Sequence, residues 1–379
     1  GRVRGLQNQL NVLKAEADRL GLTVNMDKTN IMIFRKGGHL SRHEKWLYGN
    51  TEVKVVNSYK YLGMIFSTKL SLQYAWEESC KKGKRGVIEI LKSLRKLNSI
   101  DCRLFWKMFD TQIEPLLTYA AEIWGLTLNT HMEKVHTYAI KRFLIVPIHS
   151  SNTVLYGETG RYPLYVRTYV KSIKYWLKLL TLSQSRLCRQ AYEMMVTQME
   201  LGKENWAYQI KKVLSEHGFG IVWLSQGVGN ECQFIQEFKD RLICSFKQNW
   251  HSDMENKEKY SWFFSFKNVF QIEKFLSVVN DKWQRLNYAK FRLRVFGFNA
   301  NKKWFIPGTS TESPCPLCGN RVDDERHFLF QCKIFESIRG KYEFFQSEVG
   351  KRQDVVSALS SDNEIVIKSM AKYIAEAKK

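Results

Sequence analysis

"CKKGKRGVIEILKSLR", residues 80–95, decides the fold class because it carries one period and two faces. Val87, Ile90, Leu91 and Leu94 recur at i, i+3, i+4 and i+7, the spacing of a helix with one apolar side. At 100° per residue, Lys81, Lys84, Arg85, Lys92 and Arg95 gather within about 100° of arc away from that side. The pattern predicts a helix over 75–98 that packs one face and turns a basic stripe toward solvent, where it can meet phosphates. Gly83 and Gly86 weaken such a helix by up to ~1 kcal/mol each.

Upstream, the period changes. Leu6, Leu10, Leu13, Ala17 and Leu20 follow helical spacing, with Gly21 placed to end the helix. "NIMIF" (30–34) and "SYKYLGMIFS" (58–67) are β-branched and aromatic, and "WLYGNTEVKVV" (46–56) reads as a hairpin turning at Gly49 and Asn50. A small antiparallel sheet beside a helix is expected there. Downstream, recurring apolar spacing predicts helices over 101–111, 114–124, 131–145, 163–182, 185–199, 204–216, 231–249 and 271–285. The fold class is therefore α+β and predominantly α-helical. Pro, Gly and Ser concentrate over 305–314, "FIPGTSTESP", which predicts a linker and a small terminal module beyond it.

The chain has 379 residues, 44% of them hydrophobic and 13% aromatic, long enough for more than one folded core. Fifty-nine Lys and Arg against thirty-seven Asp and Glu leave a net charge of +22, spread along most of the length. Such a field favours a polyanionic partner, nucleic acid first. Apolar runs are short and interrupted by charge, so no membrane span is expected. Of eight cysteines, Cys80, Cys102, Cys188, Cys232 and Cys244 are scattered. That pattern suits a reducing compartment better than a disulfide framework.

The other three cysteines cluster as Cys315-x2-Cys318-x8-His327-x4-Cys332. A Cys-x2-Cys turn directs two thiolates at one ion, and His327 and Cys332 complete the tetrahedral shell that Zn²⁺ favours. Four protein ligands close the shell, which points to a structural role. Asp323 and Asp324, between the ligands, read as a polar loop feeding a short helix. Phe328, Leu329 and Phe330 are the expected module core. A second basic stretch, "NYAKFRLRVFGFNANKKWF" (287–305), interleaves Lys290, Arg292, Arg294, Lys302 and Lys303 with aromatics and suits single-stranded or structured nucleic acid. "HGFGIVWLSQGVGN" (217–230) lacks the lysine and hydroxyl of a phosphate loop and reads as turns around Trp223.

"GLTVNMDKTNIMIF" (21–34), followed after a hairpin by "YKYLGMIF" (59–66), resembles the end of the palm domain in reverse transcriptases of non-LTR, LINE-type retrotransposons. "IEPLLTYAAEIWG" (113–125) is similar to their thumb. Residues 156–180 and 217–230 are similar to their connector, and "HFLFQC" (327–332) to their C-terminal zinc motif. The resemblance implies distal palm over 1–70, helical thumb over 71–150, helical connector over 151–304 and a zinc module with terminal helices over 305–379. By that resemblance Lys28 is the candidate general acid beside the leaving pyrophosphate, and Tyr61, Leu62 and Gly63 form the turn that holds the primer end. The helix over 75–98 then follows the template and primer backbone, with template RNA and target or primer DNA as partners and the nucleus and cytoplasm as compartments.

Polymerases of this kind hold Mg²⁺ ions with an Asp-Asp hairpin ahead of the Gly-Leu-x-x-Asn segment. The sequence starts at the helix of that segment, so Mg²⁺ and RNA-directed DNA synthesis are expected of the parent enzyme and nucleic-acid binding of this chain. The alternatives are a retroelement-derived zinc-binding adaptor for RNA or protein, and a decayed copy.

Overall fold

The computed structural model describes residues 3–34, 44–69, 71–96, 101–127, 130–298, 301, 314–319 and 322–378. It is predominantly α-helical with a small β component. The chain divides into two compact units, Gly1–Lys81 and Lys82–Lys379.

In the first unit, helix Val3–Arg19 ends as the sequence predicts. Gly21 sits at φ +66°, the Leu22 N–H donates to the Ala17 carbonyl at 2.8 Å and the Gly21 N–H to that of Asp18 at 3.2 Å. That crossed pair satisfies carbonyls the helix cannot, and the left-handed residue suits glycine. Gln7 fixes the helix to the strand Leu47–Tyr48: its amide donates to the Leu47 carbonyl at 2.7 Å and accepts from the Leu47 N–H at 2.9 Å. Leu10, Ile31, Trp46, Tyr48 and Val53 form the core beneath.

Among the described residues the strands form three separate pairs. Leu47–Tyr48 and Thr51–Glu52 make the hairpin turning at Gly49 and Asn50, and Ser58–Tyr61 pairs antiparallel with Met64–Ser67. The third pair departs from the antiparallel expectation, since Asn30–Ile31 runs parallel to Lys54–Val55. The residues between those two strands include the whole first hairpin, so the return crosses over.

Helix Gln73–Lys96 begins in the first unit, and its part in the second has Val87, Ile90, Leu91 and Leu94 buried. Its glycines are packing residues. A Cβ on Gly83 would stand 3.0 Å from Leu117 Cδ2 and 3.1 Å from Val135 Cγ1, and one on Gly86 would stand 2.2 Å from Ile113 Cδ1. The helix thus lies close against the segment Phe109–Ile113, which winds as a π-helix, and against helix Thr130–Leu144. Bidentate pairing of Arg161 with Asp110, at 2.8 and 2.5 Å, ties that segment to the chain fifty-one residues on.

A second core gathers on helices Tyr165–Thr181, Leu187–Glu200, Trp206–Glu216 and Glu231–Asn256. Trp176 stacks on Trp223 with centroids 5.8 Å apart. Its Nε1 donates to the Tyr192 hydroxyl, which donates in turn to Gln226 Oε1.

The helix expected over 271–285 does not form as one element. Phe275–Val278 is a single turn, and Asp281 caps a new helix, Lys282–Arg292, by accepting from the Gln284 N–H at 2.8 Å. Against Lys282–Arg292 packs the C-terminal helix Glu364–Ala377. Phe291, Phe296, Phe298, Phe328 and Tyr373 close around one another nearby, with centroids 5.1–6.0 Å apart. None of the described helices is long and apolar enough to cross a membrane.

Candidate metal centre and basic surface

The Cys-x2-Cys turn closes when the Gly319 N–H donates to the Cys315 carbonyl at 2.9 Å, with Gly319 in the left-handed region at φ +75°. Asp324 starts the next turn, its Oδ1 accepting from the His327 N–H at 2.7 Å. His327–Gln331 then winds as one π-turn, and the Cys332 N–H donates to the His327 carbonyl at 2.8 Å. Two short capped turns therefore set all four side chains face to face.

The ligand atoms of Cys315, Cys318, His327 and Cys332 lie within 4.8 Å of one another. His327 Nε2 stands 3.2 Å from Cys318 Sγ, so that nitrogen faces the thiols. Cys315, His327 and Cys332 are buried and Cys318 is half-buried. Burial pushes the Cys332 thiol up to about 11. Three sulfurs and an imidazole form a soft, four-membered donor set that fits a tetrahedral cation. Among the described residues this is the one cluster of His, Cys, Asp and Glu side chains placed to hold an ion.

Neighbours fix the ligand turns. Arg339 Nη2 donates to the Cys332 carbonyl and the Tyr373 hydroxyl to the Phe328 carbonyl, both at 2.8 Å. Asp324 is occupied as the cap of the His327 turn.

Compared with protein-family models, curated proteins and solved structures, the chain matches none.

The basic stripe is where its period places it. Lys81, Lys84, Arg85, Lys92 and Arg95 are all exposed while Val87, Ile90, Leu91 and Leu94 of the same helix are buried. Lys81 pairs with Glu78 at 3.2 Å and Lys92 with Glu89 at 2.8 Å, both in solvent. Among the described residues no carboxylate lies within ion-pair reach of Lys84, Arg85 or Arg95. Sequence reasoning missed two contributors on helix Thr130–Leu144. The half-buried Tyr138 ring has Lys84 Nζ 5.8 Å and the Arg142 guanidinium 5.2 Å from its centroid. Tyr138 and Arg142 stand one turn apart, a signal present in the sequence. Which helix they would face was not.

The stretch 287–305 is not the open basic surface it was expected to be. Arg292 is 1% exposed and its donors are all directed inward, to Glu158 Oε1 and Glu273 Oε2 at 2.7 Å and to the Leu359 carbonyl at 2.8 Å. It cannot meet a phosphate, because its guanidinium is committed to those three acceptors and lies 4.7 and 5.4 Å from the ring centroids of Phe266 and Phe275. Arg294 is half-buried, 4.1 Å over the Trp262 ring, with Nε 3.3 Å from Glu325 Oε1. Lys290 is half-buried. Lys302 and Lys303 lie outside the described residues.

Lys28 is exposed at the end of an Asn25 turn, its N–H donating to Asn25 Oδ1 at 3.2 Å and its carbonyl accepting from the Tyr59 hydroxyl at 3.0 Å. Tyr61 pairs with Met64 across a two-residue turn in which Leu62 (φ +47°) and Gly63 (φ +88°) are both left-handed. Tyr61 and Leu62 are 58% and 73% exposed at its tip.

Proposed function

We propose that this chain grips nucleic acid through the exposed cations of Gln73–Lys96, as the distal palm, thumb, connector and zinc-bearing end of a LINE-type reverse transcriptase. One observation carries the reading: Lys81, Lys84, Arg85, Lys92 and Arg95 of a single helix all face solvent, Lys81 and Lys92 paired with glutamates and Lys84, Arg85 and Arg95 without a carboxylate partner among the described residues. Exposed, unneutralised cations aligned along a helix match the charge repeat of a phosphate backbone. The net charge of +22 draws polyanions toward it.

Within this reading Lys28 serves as general acid, the Tyr61–Gly63 turn rests against the primer end, and Mg²⁺ belongs to the parent enzyme. Cys315, Cys318, His327 and Cys332 hold one structural Zn²⁺, since the closed four-ligand donor set leaves no position for a reacting water.

The test is fluorescence anisotropy of a labelled RNA/DNA primer-template titrated at several KCl concentrations. Log affinity is expected to fall against log salt with a slope of about −0.7 to −0.9 per phosphate contact, for roughly three to five contacts. An affinity independent of ionic strength rejects nucleic-acid binding by this surface.

A further inference from the structure

Trp124, Glu133, Tyr156 and Tyr165 come from four successive helices, Ala121–Trp124, Thr130–Leu144, Asn152–Thr159 and Tyr165–Thr181, and line one cavity of about 280 Å³. Met132 and Leu164 complete a mostly apolar wall beside the three rings. Tyr165 is the most open ring, half-buried, while Trp124 and Tyr156 are buried. Glu133 is the one charged residue of the lining, and its side chain is 27% exposed. The chain has fifty-nine Lys and Arg, yet among the described residues none lines this cavity. It is a local negative site in a basic protein.

Glu133 Oε1 accepts from the Tyr156 hydroxyl and lies 2.9 Å from His136 Nδ1, and Oε2 accepts from the Leu164 N–H at 2.8 Å. Burial opposes the charge, but these three partners hold the carboxyl below its usual value. With one bond against two on Oε1, Oε2 keeps an acceptor position open. Four neutral donors of the wall are committed within the protein. Besides the Tyr156 hydroxyl, Trp124 Nε1 donates to the Tyr119 carbonyl at 2.9 Å, Thr127 Oγ1 to that of Trp124 at 2.7 Å and Thr168 Oγ1 to that of Gly125 at 2.8 Å.

Those commitments select the ligand. An anion would meet the Glu133 charge with few donors to offset it, and an uncharged apolar group would take water from a carboxylate it cannot pair. A bare ammonium carries three donors, more than one open carboxylate position can satisfy. A methylated ammonium needs no acceptor, presents an apolar surface, and is drawn to a carboxylate and to aromatic faces together.

We propose that this cavity binds a trimethylammonium group, seated against Trp124, Tyr156 and Tyr165 with its charge toward Glu133. Two sources share that chemistry, a free quaternary amine and a trimethylated lysine on a protein tail. The inference goes beyond nucleic-acid binding, and a cationic probe does not report on a basic helix, so either reading can fail without the other.

The test is isothermal titration of the full chain with choline, with its uncharged isostere 3,3-dimethylbutan-1-ol, and with an otherwise uncharged peptide carrying one lysine, trimethylated or unmodified. Choline is expected to bind about tenfold or more tightly than the isostere. Tyr165→Leu keeps an apolar wall but removes the π face, and should weaken choline binding about fivefold or more. Glu133→Gln keeps the shape but removes the charge, and should weaken it about tenfold. If melting curves show that Glu133→Gln does not fold, Tyr165→Leu decides alone. A trimethylated peptide that binds more tightly than choline, with the same loss in Tyr165→Leu, identifies a protein tail as the source; choline binding as tightly or more so identifies the free amine. The proposal is overturned if the isostere matches choline, if the unmodified peptide matches the trimethylated one, if a folded variant leaves binding unaltered, or if neither trimethylammonium probe binds.

Discussion

The Arg292 guanidinium donates to Glu158 Oε1 across 2.7 Å, with both side chains only 1% exposed. Glu273 accepts from the same guanidinium at 2.7 Å and pairs with Lys267, itself 3% exposed, at 2.5 Å. Two cations and two carboxylates thus neutralise one another in the interior. Burial works against the charge on Arg292, but Glu158 and Glu273 push its pKa further up.

Removing one member leaves charge that nothing compensates. Arg292→Met is expected to cost about 3–5 kcal/mol in urea unfolding. The salt dependence of nucleic-acid binding should stay as it is. A reduced salt slope in a folded Arg292→Met protein would return this residue to the binding surface.

Glu158 supplies a pH dependence with a definite sign. Burial first, offset by Arg292 and reinforced by Glu273, pushes its carboxyl up to about 7, against about 4.3 in an unfolded chain. Between those values the folded state holds more protons, so this group's stabilisation is complete at low pH and fades as pH rises through about 7. The loss is on the order of 4 kcal/mol at most. Melting curves at pH 5 and 8 should show a smaller difference for the wild type relative to Glu158→Gln in the acid direction: the ratio of wild-type to variant stability falls with rising pH. A parallel pair of profiles would contradict it.

Metal content is the direct check on the cysteine cluster. Elemental analysis of protein purified without chelator should give one zinc per chain, and Cys332→Ser should lose it. Chelation should lower the melting temperature, because the turns that carry the ligands also place Phe328 among Phe291, Phe296 and Tyr373. A full zinc complement in Cys332→Ser would exclude that ligand.

Replacing Lys84, Arg85 and Arg95 together by alanine should flatten the log affinity against log salt slope by about 2 to 3. Stability should move by no more than roughly 0.5 kcal/mol, since all three side chains are exposed. Tyr138→Ala should weaken binding without changing the slope, because the ring carries no charge. An unchanged slope in the triple variant would place the phosphate contacts elsewhere.

Gly86 reports on helix approach. In an exposed helix Gly→Ala stabilises by up to ~1 kcal/mol, but here the new Cβ would stand 2.2 Å from Ile113 Cδ1. Gly86→Ala is expected to cost about 1–3 kcal/mol. Ile113→Val removes the clashing methyl, so the two changes should couple favourably in a double-mutant cycle. Simple additivity would mean the contact is not the cause.

Where local physics settles the outcome, the residues could be read directly. A 3.6-residue period puts Val87, Ile90, Leu91 and Leu94 inside and the five cations outside whatever the helix packs on. Gly49, at φ +60°, turns its hairpin, and Gly21, at φ +66°, ends its helix, because those two positions need a left-handed backbone. The spacing of Cys315, Cys318, His327 and Cys332 sufficed to group them, since two short turns are enough to bring the four together. The break at Asp281 was also legible as a capping residue inside an apolar run, although the longer helical period hid it.

Arg292 was decided by the tertiary structure alone. In sequence it belongs to a basic and aromatic stretch like any wet helix face, and only partners 134 and 19 residues away convert it into a core ion. Gly83 and Gly86 behave the same way: their cost to an isolated helix is local, but the space they open for Leu117, Val135 and Ile113 exists only once the helices meet. A buried charge or a close helix contact depends on what lies opposite. Periodicity records which way a side chain points along its own element, and carries no record of the neighbour that will meet it there.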